Sequence, residues 1–132
     1  MAYVCSTVDD LEGEQKVGTH ECVALVQYYT NAGPANGWQQ GESVLGNQLI
    51  KKGTAIATLK NGCYPNGKHG SHAAFFVRQG MNGFYVMDQW KGANKLHISE
   101  RFLESRGKSK DGTFAAFLSR DCAGGVGASC AA

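Results

Sequence analysis

The chain has 132 residues, 42% hydrophobic and 18% charged, which sets an expectation of one domain around one core and excludes a disordered or supercharged chain. Thirteen Lys and Arg against eleven Asp and Glu leave a net charge of +2, too mild for the clustered basic surface of a nucleic-acid binder. The longest apolar runs, such as residues 73–77, fall far short of the roughly 20 residues that span a bilayer, so no membrane insertion is expected.

Residues 1–16 lack the basic and apolar regions of a secretory signal, so any export is expected to use a route without a cleaved leader. A short helical turn is predicted at residues 7–11, followed by a polar loop to residue 16. Thr19, an N-cap residue type, then opens the clearest helix. Glu21 stands in its first turn, and Val23, Val26 and Tyr29, or Leu25 and Tyr28, recur at helical spacing. Asn31, Gly33 and Pro34 stop it. A second, weaker helix is predicted over 43–51. The period then changes. Residues 54–59 alternate and are β-branched, which predicts a strand. A loop rich in Gly and Asn over 61–71 leads to two apolar strands, 72–77 and 84–87, joined by a turn around 80–83. Two more strands are predicted at 96–102 and 113–118, separated by a charged turn. A helix followed by an antiparallel sheet is an α+β pattern. No repeat or linker divides residues 1–132, so a single domain is expected.

Five cysteines, Cys5, Cys22, Cys63, Cys122 and Cys130, leave at least one thiol unpaired within the chain. Cys22 falls in the helix; the other four fall in loops or tails and allow zero, one or two disulfides. Cys122 and Cys130 flank a Gly/Ala-rich stretch and would close the shortest flexible loop, so the tail 121–132 is expected to be flexible or disulfide-closed. That bridge is expected only in an oxidising compartment such as a periplasm, with Cys22 left free. In a reducing cytosol the loop cysteines would stay free thiols.

Cys22 is the residue to explain. In the first turn of a helix, unpaired backbone N–H groups and the helix dipole favour a thiolate, which is the nucleophilic form. The competing reading is a structural cysteine packed against the sheet. A nucleophilic cysteine needs a base, and there are four histidines. His20 lies in the transition from loop to helix, His97 reads as a surface strand residue, and His69 and His72 fall in GKHGSHAAFFV. Of these, His72 stands at the mouth of an apolar strand that would hold its backbone, as a catalytic base requires. Asp88, at the end of the next strand, is the expected orienter of the imidazole. A hairpin centred near Gly80 would set the two face to face, whereas a two-residue Asn82-Gly83 turn would break the pairing. Gln89 is the fallback orienter. The rival chemistry is zinc, through Cys63, His69 and His72 at C-x5-H-x2-H spacing with Cys22 as a fourth ligand, but the paired knuckles of structural zinc sites are missing. No phosphate loop or HExxH motif occurs, and no metal or other cofactor is expected.

With these residues placed, the segments GTHECVALV, KGTAIATL, GSHAAFFV and YVMDQW together resemble the papain-like peptidoglycan amidases and endopeptidases of the NlpC and CHAP type, over residues 17–90. Within that superfamily the small size and missing signal peptide look most like the type VI secretion amidase effectors. The resemblance implies a papain-like fold with the cysteine-bearing N-terminal helix packed on an antiparallel sheet. It implies a Cys22, His72 and Asp88 mechanism on an amide of the peptidoglycan stem peptide or its cross-link, the diaminopimelate–D-Ala cross-link among the candidates. It also implies delivery into a rival's periplasm and neutralisation in the producer by an immunity protein. The oxyanion would be held by the Cys22 N–H and a second donor, with His20, Thr19 and Gln15 open. The loops 31–41, carrying Trp38, and 61–71, carrying Tyr64 and His69, are the expected walls of the substrate groove, with Gln89 beside them. Two other classes fit the same residues: a deamidase or transglutaminase-like toxin acting on protein glutamines, and a non-enzymatic, disulfide-stapled binding module.

Overall fold

In a computed structural model the described residues are 3–59, 62–64, 71–104 and 114–119. A 3-10 turn at Val8–Leu11 precedes helix α1 (Cys22–Tyr29). Six strands follow: β1 (Trp38–Ser43), β2 (Ala55–Thr58), β3 (Ala73–Gly80), β4 (Gly83–Asp88), β5 (Ser99–Glu104) and β6 (Phe114–Ser119). They form one antiparallel sheet in the order β1-β6-β2-β3-β4-β5, the α+β arrangement expected. No helix among the described residues is long and apolar enough to cross a membrane.

The sheet is covered on both faces, and strand alternation sorts the core. Ala73, Phe75, Val77 and Met87 pack with Leu25 and Val26 of α1, while Ala74, Phe76, Phe84 and Val86 pack with Val44, Ile56 and Phe114. Burial on both sides explains why 73–77 reads as a continuous apolar run rather than an alternating one.

The β3–β4 hairpin decides where the site forms. Gly80 pairs with Gly83 across a two-residue turn of Met81 and Asn82, with Asn82 at φ 63°, in the left-handed region that Asn tolerates better than most residues. Gly83 lies so close to β5 that a Cβ there would come within 2.3 Å of the Leu103 carbonyl oxygen. Continued without interruption, the register set by this turn would bring Asp88 level with Phe75, on the opposite face from His72. It is interrupted. Arg78 pairs with Tyr85 but Phe76 with Val86, which makes Val77 an extra residue, a β-bulge. Beyond it Phe75 pairs with Met87, Asp88 falls level with Ala74, and Asp88 and His72 project from one face as diagonal neighbours. The face-to-face pairing expected from a hairpin centred at Gly80 is replaced by this diagonal.

Three expected elements differ. Residues 38–41 were expected in a loop, yet Trp38–Ser43 is an edge strand paired with β6. No helix occupies 43–51: the Asn47 side chain donates to the Ser43 carbonyl at 3.0 Å and accepts from the Leu49 N–H at 2.8 Å, turn bonds that compete with a helix. Thr19 does not cap α1, which begins at Cys22.

Candidate active site

The Cys22 end of the site is a tight turn followed by a short helix. Gly18 and His20 adopt positive φ, 60° and 74°, and the Thr19 hydroxyl donates to Glu21 Oε1 at 3.2 Å instead of to the helix. Glu21 becomes the N-cap with extended backbone and no side-chain cap bond. Cys22 is therefore the first helical residue, where backbone N–H groups lack intrahelical partners. Gln89 holds this turn in place. Its amide oxygen accepts from the Val17 N–H at 2.9 Å, and its nitrogen donates to the carbonyls of Val17 (3.0 Å) and Glu21 (2.8 Å). Fully buried, Gln89 fastens the approach to Cys22 onto the end of β4 and has no open face for a substrate.

The imidazole end is built into the sheet. The His72 N–H donates to Thr58 Oγ1 at 2.9 Å, and the Thr58 N–H donates back to the His72 carbonyl at 2.9 Å. His72 Nε2 lies 2.7 Å from Asp88 Oδ2. Cys22 stands close enough to the His72 ring for the two to act on each other by hydrogen bonding and charge. Asp88 is fully buried and carries two further cations. Arg101 Nε donates to Oδ2 at 2.8 Å, and Lys95 Nζ, itself buried, stands 3.1 Å from Oδ1 as an ion pair without the alignment of a hydrogen bond. Trp90 covers both: Lys95 Nζ lies 4.8 Å and Arg101 Cζ 4.9 Å from its ring centre, and the His72 ring meets it edge-on at 6.3 Å.

These contacts set the charges. Burial alone would push the Cys22 thiol up, but the His72 hydrogen bond and charge, the Ala73 backbone and Tyr64 outweigh it and hold the thiol below its ordinary 9.0. Burial alone would push His72 down, and the Asp88 carboxylate and the Cys22 thiolate outweigh it, raising the imidazole above 6.5. Asp88, against its own burial, is kept below the usual carboxylate range by His72, Arg101 and Lys95. The three groups favour a thiolate–imidazolium pair backed by a carboxylate, the charge state a cysteine nucleophile needs.

The remaining expected site residues divide. Tyr64 is buried, and its hydroxyl lies 3.9 Å from Cys22 Sγ. Trp38 is fully buried behind Tyr64, ring centres 5.3 Å apart, and its indole N–H donates to the Ala32 and Gly33 carbonyls. It supports the site from behind and is no exposed groove wall. His69 lies outside the described residues. Cys63 is disulfide-bonded, so it is not the free thiolate the zinc reading requires, and no three His, Cys, Asp or Glu among the described residues are grouped to hold a metal. The expected Cys122–Cys130 pairing falls outside the described residues.

Lys95 and Arg101 were not singled out by sequence reasoning. The available signal was two cations soon after the acid, Lys95 just before and Arg101 within the strand predicted at 96–102. Beside them a cavity of about 460 Å³ opens between the Cys22 approach and the loop after Trp90, with Lys16, His20, Lys95 and His97 on its walls.

A helix-borne thiol, a sheet-borne imidazole and a buried carboxylate define the class: an α+β protein with a thiol–imidazole–carboxylate row. Residues 1–117 match the family model of domesticated amidase effector 2. The chain is 45% identical over 119 residues to a type VI secretion amidase effector 2 protein of Salmonella typhi, covering 86% of this chain and 90% of that one. It is 35% identical over 96 residues to domesticated amidase effector 2 of Ixodes scapularis, covering 65% and 63%. A solved structure of type 6 secretion amidase effector 2 superposes with a TM-score of 0.82 at 37% identity, covering 89% of this chain and 95% of that one. The chain belongs to the domesticated amidase effector 2 family, and with it to the type VI secretion amidase effectors.

Proposed function

We propose that this chain is a peptidoglycan amidase in which Cys22, His72 and Asp88 are the catalytic residues. The observation that carries the reading is the continuous row from the Cys22 thiol through the His72 ring to the fully buried Asp88 carboxylate. Cys22 Sγ attacks the carbonyl carbon of an amide in the stem peptide or its cross-link. His72, as imidazolium, protonates the leaving amine, and the acyl group remains on sulfur as a thioester. Neutral His72 then takes a proton from water, which adds to the thioester and releases the acid and the thiolate. Asp88 fixes the ring orientation and stabilises the imidazolium without changing its own protonation.

A peptidoglycan stem peptide is rich in carboxylates, and Lys16, on the wall of the cavity beside Lys95, offers one complementary charge to it. The similarity to type VI secretion amidase effectors supports delivery into rival bacteria, and the Cys63 disulfide supports action in an oxidising compartment, the target periplasm. A cognate immunity protein would protect the producer. Incubation with purified sacculi, followed by mass spectrometry of the released fragments, tests the reading and names the bond. New amine and carboxyl termini within stem peptides or cross-links are expected from the wild type and not from Cys22→Ala. Sacculi left intact by folded wild-type protein would refute the reading.

A further inference from the structure

Addition of sulfur to an amide carbonyl places negative charge on the carbonyl oxygen, which needs hydrogen-bond donors positioned in advance. The start of α1 offers one, the Cys22 N–H. The side chains expected to supply a second are engaged elsewhere or exposed: the Thr19 hydroxyl donates to Glu21, and Gln15 and His20 are exposed on the cavity beside Lys95.

We propose that Tyr64 is a catalytic residue whose hydroxyl is the second donor to the oxyanion that forms as Cys22 Sγ adds to the substrate carbonyl. The inference rests on the amidase reading above. In the step, the Sγ–C bond forms and the carbonyl π pair moves onto oxygen. Tyr64 donates a hydrogen bond there without giving up its proton. When the carbonyl re-forms, the C–N bond breaks and His72 protonates the departing amine.

Three features carry the assignment. The first is distance. At 3.9 Å the hydroxyl is loose on the resting sulfur, whereas an oxygen on the carbon bound to that sulfur can come within normal reach of it. A bond that tightens only as charge develops accelerates the chemical step rather than binding. The second is preorganisation. The Tyr64 ring meets Trp38 edge-on, and its chain is pinned by the bridge between Gln39 and Cys63, by the Gln40 N–H on the Gly62 carbonyl at 2.9 Å, and by the disulfide at Cys63. The third is charge state. Burial first, then the neighbouring Cys22, push the phenol well above its ordinary 10.0, so it stays protonated and available to donate.

The test is steady-state hydrolysis of a soluble stem peptide by full-length wild type, Tyr64→Phe and Cys22→Ala, with thermal melts of each. The phenyl ring keeps the Trp38 contact, so Tyr64→Phe should melt with the wild type and lose about 10²–10³-fold in kcat, with KM within about twofold. An unchanged kcat, or a rise in KM alone, would make Tyr64 a groove residue and overturn the proposal. If wild type and Cys22→Ala are equally silent, the amidase reading fails and takes the proposal with it. Should Tyr64→Phe fold poorly, fluorotyrosine at position 64 keeps the ring and acidifies the hydroxyl. A kcat that changes with fluorination then supports the proposal, and a kcat indifferent to it overturns it.

Discussion

The two ends of the proposed catalytic row are built by different means. His72, Asp88 and Arg101 sit on β3, β4 and β5 or at their ends, so the ladders of three adjacent strands fix their spacing. Cys22 and Tyr64 sit on an eight-residue helix and a loop, and side-chain tethers hold them: Gln89 for one, Trp38 and the Cys63 disulfide for the other. A ladder distributes an error over many bonds; a tether concentrates it in one. Damage at the imidazole end should therefore appear in charge and pH dependence, and damage at the thiol end in local order and rate.

The largest effect is expected from the reacting groups themselves. Cys22→Ala and His72→Ala should each lower hydrolysis by on the order of 10⁴-fold or more, and the double variant should be no worse, because members of one catalytic unit are not additive. Circular dichroism should show both folded, Cys22 being half-buried at the edge of its helix. A double variant much slower than either single one would mean that the two act separately.

Asp88→Asn comes next and separates the two ends. It leaves buried Lys95 and part-buried Arg101 facing a neutral group, which should cost about 3 kcal/mol in denaturant unfolding. It should lower kcat by less than loss of Cys22 does, since the carboxylate orients and does not react. The wild-type rate should follow a bell in pH. Its acid limb is protonation of the thiolate, below the ordinary 9.0, and its alkaline limb is loss of the imidazolium, above 6.5. Asp88 raises the imidazole, so Asp88→Asn should move the alkaline limb downward. The depressed Asp88 pKa contributes stability that is present above the ordinary carboxylate range and lost as pH falls through the folded value. The variant should accordingly lose that acid sensitivity.

Gln89→Ala breaks the tether at the thiol end. Three part-buried hydrogen bonds go, and the Val17 and Glu21 backbone groups are left to water or new partners, a cost of about 2 kcal/mol. Hydrogen exchange should rise in residues 17–22 and stay unchanged in β3 and β4; a uniform rise would contradict the division into ladder and tether. Smallest of all, Arg78→Ala removes an exposed ion pair with Glu100 on the same strands that carry the site. It should change stability by less than about 1 kcal/mol and leave kcat alone.

Much of the sheet was legible from alternation and apolar runs, because β2, β3 and β4 bury both faces and leave a strong pattern. β1 was not, since WQQGES is a polar edge strand with one buried residue, and its partner β6 lies about 75 positions further on. Cys22 and His72 could be picked by element and neighbourhood, but the place of Asp88 depends on the bulge at Val77, which shifts register by one and leaves no residue signature in an all-apolar run. Thr19 looked like a cap because composition cannot show that Gly18 and His20 turn the chain away. Tyr64 could be read only as a loop aromatic, since its contact with Cys22 spans 42 residues of sequence.

The paired charge of Cys22 and His72 is read out by the rate of Cys22 alkylation by iodoacetamide against pH, followed by mass spectrometry of the Cys22 peptide. Wild-type Cys22 should titrate below the ordinary thiol value. In His72→Ala, with burial left unopposed by the imidazolium, the titration should move above it. Superimposable wild-type and His72→Ala curves would contradict the claim.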